Sequence, residues 1–516
     1  MSRFVELFNA QVESRPHQVA FCNSDSASMT YTELGRAADA LGAHYCSLDP
    51  DKNPVVVYGH KDPYMLAGIL ACMKSGRAYV PADSAFPLAR VADICDQLGG
   101  CLLLDTAGAG LTVEGTHAGR VIGRDEAQGV VDAWDGSPLP IEQSVAGDDF
   151  VYIMFTSGST GRPKGVQMHA AAIDHFMAHF VRMLDAKPED MFFDRAPFSF
   201  DTSVFDLIAG LAVGSTLYAL ETAADSSMPL MFEEFARRPI TKWISTPSLL
   251  EACLLDPAYG TGLLPKLELV IVTGEALRAQ TAARMLERFP GLRLINAYGA
   301  TETQSACEMD ITAEVIEECE VLPVGWMDPG MRVIIRDQDT ADDLPQGEIG
   351  EIYLVGPTVS KGYFGRPDLT AASFSEVPDG AGGIEPCYKT GDRGYIDGKG
   401  RLYCLGRLDY QVKVNGYRIE AGDIEENLCG LPEVRQAGVV PVRREDGSAA
   451  YLCAFVQLED PAADRSFKQT KNLKSQLKEL LPDYMIPRTF RYVDDFPKST
   501  NDKIDRKELA RMAAEK

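Results

Sequence analysis

Short apolar runs bounded by Gly, Pro or Asp recur along the first three-fifths of the chain. The runs at 54–58, 150–155, 267–272 and 292–295 predict strands buried on both faces, because a continuous stretch of Val, Ile and Leu leaves no polar face for water. They alternate with stretches such as 279–289, whose apolar positions follow the helical period. That alternation predicts parallel strands joined by crossover helices. The apolar run at 64–73 is too short to cross a bilayer and reads as a buried helix. Past Pro323 the texture changes to short strands and Gly-rich turns, as at 347–356, which predicts a small β-rich subdomain. The last hundred residues combine a strand at 450–456 with an amphipathic helix at 468–481. The expected fold class is α/β: a large N-terminal domain with parallel-type sheets and a β-rich subdomain, then a small α+β C-terminal domain.

Length and charge sharpen this picture. A chain of 516 residues exceeds what one hydrophobic core usually supports. The net charge is −25, which argues against nucleic acid as a general partner. The acidity is uneven. From Asp409 onward there are 18 basic and 19 acidic side chains, against 50 and 75 in the whole chain. A near-neutral tail on an acidic body predicts domains at 1–408 and 409–516. The 12 cysteines form no Cys-x-x-Cys pair, and the 7 histidines do not pair with them at ligand spacing. Reduced, mostly buried thiols are expected, and a zinc site is not. The first residues lack an apolar core with a cleavage site, so a cytoplasmic address without membrane insertion is expected.

Five segments carry candidate chemistry. Thr156, Ser157, Gly158, Ser159, Thr160 and Gly161, with Lys164 beyond them, follow the strand at 150–155. Small residues let a backbone approach a polyphosphate, and hydroxyls and free N–H groups donate to its oxygens. The segment is not a Walker A loop, because no Gly-Lys-Ser/Thr follows at the right spacing. Asn296, Ala297, Tyr298, Gly299, Ala300, Thr301 and Glu302 follow the strand at 292–295, where α/β sheets bind ligands. Here Tyr298 offers a ring to a purine, Asn296 an amide to its edge, and Glu302 a hard oxygen ligand. Tyr388 to Asp392 supplies a carboxylate for ribose hydroxyls. The other two are the segment from Gly406 and Arg407 to Glu420, and Lys503 within 500–506. Each alone has a bland reading as a loop, a half-buried tyrosine or a solvated charge.

Taken in order and spacing, the five resemble the adenylate-forming superfamily of acyl-CoA synthetases, luciferases and peptide-synthetase adenylation domains. The resemblance spans nearly the whole chain. Phe198, Ser199, Phe200, Asp201, Thr202 and Ser203 match the segment whose aspartate pairs with a substrate α-ammonium. Read locally, Asp201 is equally a helix N-cap. Within the superfamily the chain is most similar to the D-alanine–carrier protein ligases, on Val57 to His60, Ala196 to Asp201, Ser245 to Ser248 and Gly406 to Asp409.

The resemblance implies an AMP-forming ligase using ATP and Mg²⁺. A small amino acid, D-alanine favoured, would be activated as its adenylate. It would then pass to the phosphopantetheine thiol of a carrier protein, feeding D-alanylation of teichoic acids. The 156–164 segment would hold the β- and γ-phosphates, with Thr156 assisting catalysis. Asn296, Ala297, Tyr298, Thr301, Asp392 and Arg407 would bind the rest of the nucleotide, and Glu302 would position Mg²⁺. Lys503 would bridge the carboxylate and the α-phosphate. Asp201, Thr202, Phe205, Thr273, Gly274, Ala297 and Ser305 would line the amino-acid pocket, joined by Ala306. Asp409 would be the hinge about which the C-terminal domain rotates between half-reactions. A monomer is expected. Four positions depart from the pattern: Ala300 for proline, Lys389 for arginine, Asp502 for glycine, and Thr273 where D-alanine ligases typically carry cysteine. Lys468, Lys471, Lys474 and Lys478 fall on one helix face, as a carrier contact or a solvated face. A stand-alone adenylation enzyme of the peptide-synthetase type, taking another amino acid, is the alternative. A non-catalytic ATP- or amino-acid-binding relative is a more distant one.

Overall fold

Six parallel strands run side by side in the larger of the chain's sheets: Val19–Asn23, Thr216–Ala219, Met191–Phe193, Lys242–Ser245, Leu269–Val272 and Arg293–Ala300. Antiparallel Ser28–Thr30 closes one side, and Gln304–Asp310 followed by Trp326–Met327 closes the other, giving nine strands. This computed structural model describes all residues except 1, 159–161, 222–224, 226, 409–410, 415, 445–448, 461–462, 499–503 and 516. The chain divides into two compact units. The first holds 1–84, 95–154 and 165–406; the second holds 85–94, 155–164 and 407–516.

In the first unit, Leu269–Val272 is buried at every position, as its unbroken apolar run requires. A second sheet, of six strands, runs Arg120–Ile122, Leu102–Asp105, Val55–Gly59, Tyr79–Asp83, Phe150–Thr156 and Lys164–His169. Helix Pro63–Lys74 is buried throughout, with Pro63 in its first turn and Asp62 accepting a capping hydrogen bond from the Tyr64 N–H. The β-rich subdomain is an antiparallel sheet of Arg332–Arg336, Gly350–Val355, Ile384–Ile396 and Phe374–Pro378, with Leu402–Arg407 also on Ile384–Ile396. Two apolar clusters fill the unit's layers. One gathers Phe176, Phe180, Phe205, Ile271 and Ala297, and the other Trp243, Tyr259, Phe289 and Val272. The second unit contains a three-stranded sheet of Val434–Arg443, Ala449–Leu458 and Thr489–Tyr492, with helices Ala421–Cys429, Phe467–Lys478 and Arg506–Ala514.

One expectation needs correcting. The strand read as 292–295 continues to Ala300, so Asn296 to Ala300 are not a loop after the strand. They pair with Gln304–Asp310. Asn296 stops an apolar run, but a strand tolerates it here because its amide finds a carbonyl partner. The lysine stripe is also less uniform than its spacing implies. Lys474 is half-buried and donates to the Arg488 carbonyl at 2.7 Å, and Lys478 pairs with Asp483 at 2.9 Å. None of the twelve cysteines is in a disulfide, and nine are buried. Among the described residues, no helix is long and apolar enough to cross a membrane.

Candidate active site

The hairpin next to one edge of the nine-stranded sheet concentrates several of the expected residues. Arg293–Ala300 turns through 301–303 into Gln304–Asp310. The turn is closed by the Thr303 N–H on the Ala300 carbonyl at 2.8 Å. Gly299 is required there: a Cβ would stand 1.8 Å from the Gln304 carbonyl oxygen. The register slips between Tyr298 and Gly299, and Gln304 takes a positive φ of 57°. Asn296, Ala297, Tyr298, Thr301, Glu302 and Ser305 are all buried on or beside this hairpin.

Tyr298 donates from its hydroxyl to Oδ2 of Asp392 at 2.6 Å. Burial and the neighbouring carboxylate push the phenol well above its ordinary range, so it stays a donor. Asp392 is oriented in turn. Its N–H donates to the Thr390 hydroxyl at 2.9 Å, which donates to the Ile352 carbonyl at 2.7 Å. Asn296 spends an amide N–H on the Pro323 carbonyl at 2.9 Å, pinning the chain where the β-rich subdomain begins. Glu302 is fully buried and accepts the Tyr363 hydroxyl at 2.8 Å, while its carbonyl accepts the Ser360 N–H at 2.8 Å. A buried carboxyl with hard oxygen donors is chemistry that fits a hard divalent cation.

A second group surrounds the start of helix Thr202–Val213. Asp201 occupies the N-cap position with φ −59° and ψ −28°, yet its side chain accepts no capping bond. Capping residues usually take extended backbone angles, and with helical ones no capping bond forms here. Phe205 packs edge-on against Phe180 and Phe176, with ring centroids 4.6 and 5.2 Å away. Thr202 is half-buried beside it in sequence. Thr273 leaves strand Leu269–Val272 with its N–H on the Ser245 carbonyl at 3.0 Å. Gly274 follows with φ 87°, a conformation open to glycine at little cost. Ser305 is buried and its hydroxyl has no hydrogen-bond partner among the described residues. An orphaned buried hydroxyl is costly, and a polar occupant would relieve it.

Two contributors, Tyr152 and Tyr363, were not singled out in the sequence. Tyr152, on strand Phe150–Thr156, is fully buried and accepts a hydrogen bond from the Gln304 amide. Its phenol is raised by burial first, and the Asp201 and Glu302 carboxylates add to the shift. Tyr152 therefore feels both halves of the site. Tyr363 orients Glu302. The available signals were a tyrosine inside an apolar strand, and a tyrosine directly after glycine in a polar turn.

The other expected residues fall in the second unit or outside the described residues. Thr156 ends its strand with a buried hydroxyl that has no hydrogen-bond partner among the described residues. The Ser157 hydroxyl donates to the Arg418 carbonyl at 3.0 Å and accepts the Glu420 N–H at 3.1 Å. At Gly158 a Cβ would stand 2.1 Å from the Arg162 carbonyl oxygen, so the segment closes on itself where only glycine fits. Lys164 begins strand Lys164–His169 and Arg407 ends strand Leu402–Arg407, both half-buried. Ser159, Thr160, Gly161, Asp409 and Lys503 lie outside the described residues, as does Asp502.

Residues 8–364 match the model of the AMP-binding enzyme family, and 423–503 match that of the AMP-binding enzyme C-terminal domain. The chain is similar to a D-alanine–D-alanyl carrier protein ligase of Bacillus cereus (strain G9842), 37% identical over 98% of this chain and 99% of that protein. A protein of the same name from Bacillus thuringiensis (strain Al Hakam) is 38% identical over 96% of each chain. Among solved structures, holo-PA1221, a peptide-synthetase protein with adenylation and PCP domains, shares 26% identity at a TM-score of 0.81, covering 99% of this chain and 84% of that one. The amide bond synthetase McbA from Marinactinospora thermotolerans shares 24% identity at a TM-score of 0.82 over 99% of both chains, a likeness of fold.

Proposed function

The chain belongs to the AMP-binding enzyme family, and from that premise we propose that it is an AMP-forming ligase that activates a small amino acid and passes it to a carrier-protein thiol. D-Alanine is the favoured substrate, because relatives carrying that name match nearly the whole length of the chain. The observation that carries the nucleotide half is the Tyr298–Asp392 pair: an aromatic face and an oriented carboxylate, joined at 2.6 Å, suit a purine and its ribose.

In the first half-reaction the amino-acid carboxylate attacks the α-phosphorus of ATP and pyrophosphate leaves. A phosphopantetheine thiol then attacks the acyl carbon and AMP leaves. Such chemistry needs positioning and charge neutralisation more than a covalent nucleophile. Asp201 holds the α-ammonium, with Phe205, Thr273, Gly274, Ala297 and Ser305 setting the size and polarity around the side chain. Tyr298, Asn296, Ala297 and Thr301 hold the base, and Asp392 and Arg407 the ribose and phosphate. The 156–164 segment, with its small residues and Lys164, holds the outer phosphates. Glu302 would hold Mg²⁺, which supplies charge neutralisation at the phosphates. Lys503 meets the α-phosphate. The thioester would feed D-alanylation of teichoic acids from the cytoplasm, where ATP is supplied.

Amino-acid-dependent ATP–pyrophosphate exchange tests this reading. D-Alanine is expected to give the highest kcat/KM in a panel with L-alanine, D-serine, glycine and larger amino acids. A larger or L-amino acid in first place would point to the peptide-synthetase alternative. ATP binding with no exchange for any amino acid would point to a non-catalytic relative.

Two smaller effects follow. Thr273→Cys should move the D- to L-alanine preference by about 10- to 200-fold, since a single-group change in a pocket is worth about 1–3 kcal/mol. An unchanged ratio would remove Thr273 from the pocket wall. Asp409→Pro, which stiffens the expected hinge, should spare one half-reaction and damage the other. Exchange and single-turnover thioester formation report the halves separately, and equal losses in both would count against rotation.

A further inference from the structure

Helix Ala170–Met183 carries His175 and His179, four residues apart and so on one face. Glu308, on strand Gln304–Asp310, and Asp328, just past strand Trp326–Met327, meet His179. Nε2 of His179 is hydrogen-bonded to Oε1 of Glu308 and lies 3.8 Å from Oδ1 of Asp328. One ligand atom from each of the three lies within 4.8 Å of the other two. A second observation is independent of that spacing. Asp328 is 7% exposed and, among the described residues, its Oδ1 accepts no hydrogen bond from an N–H or hydroxyl donor; nor does the buried Oε2 of Glu308. Two carboxyl groups, hydrogen-bonded to each other, thus share a mostly dry site with one imidazole, which supplies at most one positive charge.

We propose that His179, Glu308 and Asp328 bind a divalent transition cation of the zinc or manganese class. Metal–ligand bonds of about 2.0–2.2 Å place tetrahedral donors about 3.3–3.6 Å apart, so His179 and Asp328 stand close to the required separation and the hydrogen-bonded His179 and Glu308 must part to admit an ion. One imidazole with two carboxylates suits zinc or manganese better than calcium or magnesium, which take oxygen ligands. Neighbouring groups already hold the donors in place. His175 hydrogen-bonds through Nε2 to the Pro329 carbonyl at 2.7 Å, and the Asp328 N–H donates to the Ala306 carbonyl at 2.9 Å. The helix that supplies His179 also carries Phe176 and Phe180, which pack on Phe205. The strand that supplies Glu308 carries Ser305. Occupancy would therefore lock helix and strand together behind the amino-acid pocket, apart from the cation expected at Glu302.

The test uses full-length protein stripped with chelator, free of nucleotide, and titrated with Zn²⁺ and with Mn²⁺ by calorimetry. One saturable equivalent per chain is expected, with a rise in Tm of at least about 2 °C at saturation. Both should disappear in His179→Ala and in Asp328→Asn and persist in His175→Gln. No saturable equivalent, or one that survives His179→Ala, overturns the proposal. So does one lost on His117→Ala, which removes the exposed His117–Asp96 pair. Should the site variants fail to fold, the wild type decides: spin-echo spectra of bound Mn²⁺ must show coupling to one imidazole nitrogen, and an all-oxygen signature overturns the assignment.

Discussion

Asp201→Asn is expected to lower kcat/KM for the amino acid in ATP–pyrophosphate exchange by about 10²–10³-fold, with the KM for ATP changed little. An α-ammonium taken out of water needs an ionised partner, and a neutral amide leaves that charge unpaired. Asp201 supplies no cap to helix Thr202–Val213, and Asn, of nearly the same shape, is an equally good residue at that position. The melting temperature should therefore stay near that of the wild type. A second readout separates charge pairing from general damage. The wild type should reject the α-hydroxy analogue of its substrate strongly, and the variant should narrow that preference. An unchanged KM for the amino acid, or an undiminished preference for amine over hydroxyl, would remove Asp201 from the ammonium site.

The other large effect belongs to Lys503. Lys503→Ala should slow adenylation by at least about 10²–10³-fold, the usual cost of removing a preorganised charge from a developing oxyanion. Negative charge builds on the carboxylate and α-phosphate oxygens as pentacoordinate phosphorus forms, and a lysine bridging them stabilises that state more than the ground state. The variant should still bind ATP, and it should still form thioester when supplied with preformed aminoacyl adenylate. Exchange within a factor of a few of wild type would refute the role. Asp502, next to it, adds a negative charge where the family pattern has glycine. Asp502→Gly should therefore leave adenylation unchanged or raise it.

Much was legible in the chain itself. Runs such as Leu269–Val272 announce buried parallel strands, since burial on both faces demands apolar residues at consecutive positions. The charge break near Asp409 and the small-residue segment at 156–164 were equally plain, because composition and backbone permissiveness are properties of residues taken one by one. Tertiary pairing decided the rest. Asn296 to Ala300 form a strand because Gln304–Asp310 returns beside them, and Tyr298 meets a carboxylate 94 residues further on. Local signals mark Tyr152 and Tyr363 only as tyrosines in a strand and a turn, and neither they nor the His179–Glu308–Asp328 cluster reveal their partners, which come from distant segments. Periodicity reports what a residue does with its own neighbours; a site depends on which distant groups the folded chain leaves buried together, and that is set by packing.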